Sequence, residues 1–103
     1  MVVVERTMTV RQSDADVFAE IFTAECPLES IEGFIRRSVF RKQLEDGTEQ
    51  FLVYVLFEDE SALHRWSGTP EQAKQREIHK ERFALMLHET KQKVQLVKEL
   101  FPT

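Results

Sequence analysis

Phe51-Leu52-Val53-Tyr54-Val55-Leu56-Phe57 is apolar on both faces when its side chains are alternated along a strand. Phe51, Val53, Val55 and Phe57 fall on one side, and Leu52, Tyr54 and Leu56 on the other. Such a strand is buried on both sides. A layer of helices covers only one face of a sheet. The second cover has to come from elsewhere, and a partner subunit is its simplest source.

Working outward, Asp46-Gly47 lies just before this run, with another strand predicted over roughly residues 33–44. A DG step between two such runs is a hairpin signal. Residues 2–10 also read as a strand. Val2, Val4, Arg6, Met8 and Val10 share a face that is apolar except for Arg6. Ser13-Asp14-Ala15-Asp16 marks a helix start with Ser13 as the cap. Val17, Phe18, Ile21 and Phe22 supply its stripe, and Pro27 stops it by about residue 26. On the far side, Ser61 opens a short helix carrying Ala62, Leu63 and Trp66. Gly68 and Pro70 mark a break, and a longer helix is predicted over roughly residues 70–89. Val94, Leu96, Val97 and Leu100 place a last strand over roughly residues 92–101.

The order is β-α-β-β-α-β, a ferredoxin-like α+β fold with an antiparallel sheet and helices on one face. The opposite face is naked in a monomer, and an apolar patch of that size marks an interface. Two such sheets closed face to face make a dimeric α+β barrel, and two-fold symmetry is the commonest arrangement.

Bulk properties narrow the function. At 103 residues the chain has room for one domain, 1–103, and one core. A net charge of -4 gives no footprint for nucleic acid or an anionic membrane surface. The single cysteine, Cys26, excludes an internal disulfide and a multi-thiolate metal site. It lies near Glu25 and Glu29, an environment that does not activate a thiol. The start of the chain, charged by Glu5, reads as neither signal peptide nor membrane span, which implies a cytoplasmic protein. Dinucleotide and phosphate loops, HExxH and a Ser-His-Asp arrangement are all missing from the sequence.

Three stretches carry a family resemblance. Glu32-Gly33-Phe34, before the second strand, looks like the PGF or EGF entry of antibiotic-biosynthesis-monooxygenase domains. Phe57-Glu58-Asp59-Glu60-Ser61-Ala62-Leu63-His64-Arg65-Trp66 resembles that family's W-x-S-x-E-A-F-x-x-W passage, with Phe57 where the first Trp stands. Glu77-Ile78-His79-Lys80 resembles its x-A-H-K helix. The resemblance spans nearly the whole chain and implies the dimeric barrel. It also implies a monooxygenase, either cofactor-free on quinols and other small aromatics or of the Isd type, which binds haem and breaks it open.

In the haem group the resemblance makes His79 the proximal iron ligand and Trp66 the residue that shapes the porphyrin. Arg6 falls where that group has an Asn. Arginine has no acceptor and cannot orient bound oxygen as Asn does. The catalytic candidates are therefore His79, Trp66 and Arg6, with His79, Phe22 and Phe83 holding the cofactor and His79 the only metal ligand.

Each candidate also has a structural reading. His79 shares a predicted helical stripe with Phe83, Met86 and Leu87, so it is either a ligand or base, or a histidine at the edge of the core. Trp66, the only tryptophan, is a pocket wall or plain core. Arg6 clamps an anion such as a carboxylate, phenolate or propionate, pairs with a helix carboxylate such as Glu20 or Glu25, or marks a slipped strand register. In a cofactor-free enzyme, His79 or Tyr54 would move protons in the same pocket. A non-catalytic dimer, working as a stress or regulatory module, is the remaining alternative. His64 and His88 look exposed on helices, and the charges of 71–82 and 89–93 read as solvated helix surface.

Overall fold

A computed structural model of the chain describes residues 1–23, 30–67, 80 and 84–101. Strand β1 covers Val2–Arg11 and leads through a 3-10 turn, Gln12–Asp14, into helix α1, Ala15–Thr23. Strands β2, Phe34–Gln43, and β3, Thr48–Phe57, form the expected hairpin. Helix α2 covers Glu60–Ser67, and strand β4 covers Met86–Gln95. The sheet order is β2-β3-β1-β4, and every neighbouring pair is antiparallel. This is the ferredoxin-like arrangement that the element order implies.

Local chemistry explains the turns. Gly47 has φ +84, which suits a residue without Cβ. The Asp46 carboxylate accepts the Thr48 N–H at 3.1 Å and the Thr48 hydroxyl at 2.5 Å. Those bonds, the hydroxyl's first, hold the Asp46 carboxyl below its ordinary pKa. Helix α2 starts where the Asp59 carboxylate accepts the Ala62 N–H at 2.9 Å, the geometry of an N-cap. At α1 the expected Ser13 cap is not used. The chain enters through the 3-10 turn, and no side chain caps that turn at Arg11.

Two apolar clusters lie on the helix side of the sheet. In the first, Ala15 and Phe18 of α1 pack on Met8, Val10, Phe51 and Val53. The Phe18 and Phe51 rings are 4.7 Å apart. The buried stripe of α1 is therefore Ala15-Phe18-Ala19, while Val17 is 52% exposed. The second cluster joins Val4 and Phe57 to Ala62 of α2, with Phe34, Val55, Leu63 and Trp66 packed around it. At the rim of the first cluster, Glu49 is a carboxylate only 2% exposed. It accepts the Arg41 Nε–H at 2.5 Å, while Arg41 Nη1 reaches Asp16 at 2.9 Å. Glu49 and then Asp16 raise the pKa of that guanidinium, which ties β2 and β3 to α1.

The last helix and strand depart from expectation. Met86 to Glu89 were expected to be helical, but they form the start of β4. That strand ends at Gln95, so 96–101 lies beyond it. A register shift between Thr9 and Val10 absorbs the irregular pairing near Leu87. Met86 and Leu87 satisfy either period, and pairing with β1 decides between them. His88 is consequently an exposed residue of a strand, not of a helix. Most of the expected helix lies outside the described residues.

The opposite face of the sheet is open. It carries a groove of about 400 Å³ lined by Val3, Phe40, Tyr54, Leu56 and Leu96, among others. Phe40 is 57% exposed, and its ring stands edge-on to that of Tyr54. The segment after β4 turns back here through the Leu96 N–H, which donates to the Met1 carbonyl at 2.8 Å, and through an Arg36–Glu99 ion pair. Among the described residues, no helix is long and apolar enough to cross a membrane.

Candidate functional site

Strand parity puts Val4, Arg6 and Met8 on the helix side, opposite Val55, Val53 and Phe51. Val4 belongs to the α2 cluster and Met8 to the α1 cluster. Arg6 therefore sits between two patches of buried apolar residues. Trp66 lies on the same side, half-buried against the cluster that contains Val4. Arg6 and Trp66 thus lie on the same side of the sheet.

Trp66 is held there by the start of α2. Phe57 ends β3 inside the core, Asp59 caps the helix, and Arg65 Nη2 donates to the Glu32 carbonyl at 3.0 Å. The last contact fastens α2 to the turn that opens β2. Gly33 lies beside it, and a Cβ built there would stand 2.5 Å from Ala62 Cβ. The Glu32-Gly33-Phe34 entry and the Trp66 passage are thus two sides of one joint.

Glu25 lies outside the described residues, and among those described the partner of Arg6 is not Glu20. It is Glu89 of β4, which accepts from Nε at 2.9 Å and from Nη2 at 2.7 Å, both on Oε1. Glu89 faces Met8 in the register, so it meets Arg6 diagonally across the strand pair. The side chains are 20% and 24% exposed. Sequence reading missed Glu89 because it placed that residue among solvated helix charges. The signal that could have found it is the charge on an apolar strand face, which requires a carboxylate on a neighbouring strand.

Tyr54 pairs with Glu5 and Ser38 and points to the open face. It cannot move protons in a pocket shared with Arg6 and Trp66, contrary to the expectation for a cofactor-free enzyme. His64 is exposed on α2. His79, Phe83, Cys26 and the side chain of Phe22 lie outside the described residues. No group of three or more His, Cys, Asp or Glu side chains among the described residues is arranged to hold a metal ion.

Comparison with known proteins agrees with this architecture. A crystal structure of a Bacillus cereus protein assigned to the antibiotic biosynthesis monooxygenases superposes with TM-score 0.74 at 23% identity, over 95% of this chain and 94% of that one. SnoaB, a cofactor-independent oxygenase from Streptomyces nogalater, superposes with TM-score 0.69 at 18% identity, over 96% and 95%. At these identities the likeness concerns the fold. In sequence, the chain is 36% identical over 61 residues to the heme-degrading monooxygenase HmoA of Bacillus subtilis. The match takes in 59% of this chain and spans only 56% of HmoA. The antibiotic biosynthesis monooxygenase family model matches residues 1–78, which include β1, the β2–β3 hairpin and the Trp66 helix. The chain belongs to the antibiotic biosynthesis monooxygenase family.

Proposed function

We propose that residues 1–103 act as a single domain, a monooxygenase that takes a flat aromatic substrate on the helix side of its sheet. The observation that carries this reading is Trp66, held by α2 on the same side of the sheet as the one charged position of an apolar strand face. An apolar wall next to a small number of polar groups is the usual make-up of a site for a planar ligand.

Haem is the sharper candidate, motivated by the identity to HmoA. When bound, haem supplies the iron at which oxygen is activated. The described residues fit such a group in part. Val4, Val55 and Trp66 offer an apolar wall, while iron ligation would fall to His79. Arg6 is already matched by Glu89, so it is a poor clamp for a propionate. That same pairing favours a second reading, a cofactor-free oxygenase acting on a small uncharged aromatic.

A haem titration followed by absorbance, on the parent protein and on His79→Ala, separates the two. The haem reading expects a saturable Soret band that is shifted or lost in His79→Ala. No band in either protein removes haem and leaves the cofactor-free reading.

The open face suits a second copy of the chain, because Phe40 and Tyr54 leave apolar surface on it. Light scattering after size exclusion should give about twice the 12.1 kDa chain mass. A clean monomer at micromolar concentration would reject the barrel dimer.

A further inference from the structure

The Arg6–Glu89 pair has a geometry that bears on selection. Both guanidinium donors, Nε and Nη2, land on a single carboxylate oxygen, Oε1. A fork-to-fork pair would have used both oxygens. Among the described residues, Oε2 accepts from no further donor and Nη1 meets no acceptor. The pair thus holds an acceptor, Oε2, and a donor, Nη1, within one ion pair flanked along the strands by Val4, Met8 and Val53, each under a tenth exposed. Its two charges cancel. Among the described residues, Lys91 stands directly across from Arg6 and is exposed, so water screens it.

Such a surface discriminates by charge. An uncharged group with a donor beside an acceptor, such as an amide or an enol next to a carbonyl, satisfies both halves. A carboxylate can use only the Arg6 half and brings a second negative charge against Glu89 in a partly desolvated place. We propose that Arg6 and Glu89 together are the specificity element of this site, admitting an uncharged donor–acceptor group on a planar ring and turning away carboxylates, with Glu89 setting the choice. This rests on the helix-side aromatic site proposed above and names the substrate class for it. Glu89 acts here as a binding residue, and no bond-making step is assigned to it.

The test uses calorimetric titration with two isosteric probes, naphthamide and naphthoate, and reads the ratio of their affinities. The parent protein should favour naphthamide. Glu89→Gln leaves Arg6 uncompensated and should move the ratio toward naphthoate by about tenfold to a hundredfold, the range of one charge-assisted hydrogen bond. Arg6→Gln should move the ratio the opposite way, toward naphthamide. A purely structural role would weaken both ligands in both variants without opposite signs. Glu89→Asp should keep the parental preference, as should Lys91→Gln. If Glu89→Gln does not fold, Arg6→Gln and Glu89→Asp carry the comparison. A ratio unchanged in Glu89→Gln, or a parent that favours naphthoate, overturns this inference while leaving the aromatic site in place. A parent protein that binds neither probe nor haem overturns the site and this inference together.

Discussion

Replacing Phe18 with alanine is expected to lower the unfolding free energy by about 3–5 kcal/mol, the range for truncating a fully buried aromatic. Phe18 is completely buried and is the main anchor of α1 on the sheet. Its ring fills the space between Met8, Val10, Phe51 and Val53, tilted 51° against the Phe51 ring. Alanine removes that area from the core and leaves a void that the strands cannot close, because β1 and β3 are fixed by their own ladder. Domains of this size have about 5–15 kcal/mol in total, so a large part of the stability would go. Urea unfolding followed by circular dichroism measures the change. Val17→Ala, one residue away and half exposed, should cost under about 0.5 kcal/mol. Equal effects at 17 and 18 would mean that the assigned face of α1 is wrong.

Gly33→Ala should come next, at about 2–5 kcal/mol. Two separate costs meet there. Gly33 has φ +92, outside the region open to an L side chain, which costs about 1–2 kcal/mol. The new Cβ would also stand 2.5 Å from Ala62 Cβ, so β2 and α2 must separate, and overpacking of that kind costs about 1–3 kcal/mol. Gly47 is the control. Its φ is +84, but nothing lies within 4 Å of an added Cβ, so Gly47→Ala should show only the backbone cost. Ala62→Gly should relieve the steric part, seen as a smaller effect of Gly33→Ala when measured in the Ala62→Gly background. A functional readout accompanies the stability one. Because the Glu32–Gly33 turn holds Arg65 and hence α2, Gly33→Ala should shift the emission of Trp66 in the folded state. Equal costs at the two glycines would rule out a tight joint between β2 and α2.

Both predictions concern the scaffold that sets Trp66 and Arg6 on one side of the sheet, and much of it was legible residue by residue. The two-sided apolar run Phe51–Phe57 identified β3, and Asp46-Gly47 located its hairpin. The alternation of Val2, Val4, Met8 and Val10 identified β1 and singled out Arg6 as the misfit. Gly33 and Trp66 were marked by the motifs around them. The predicted α1 stripe follows the large apolar residues, so it includes Val17 and leaves out Ala15 and Ala19. The core accepts only those that project toward the sheet.

Local sequence determined the element order, the hairpin and the polarity of each strand face, because these depend on periodicity and turn chemistry over a few residues. Tertiary structure decided where β4 begins, since Met86-Leu87 fits a helix or a strand equally well and pairing with β1 settles it. It also decided which way Tyr54 points relative to the helices, since that depends on which face of the sheet they cover. The same pairing chose Glu89 as the partner of Arg6. These residues are 83 apart in the chain and meet only through the register of β1 with β4. A one-residue slip would turn Glu89 to the other face, so the charge balance of the site is a property of strand register.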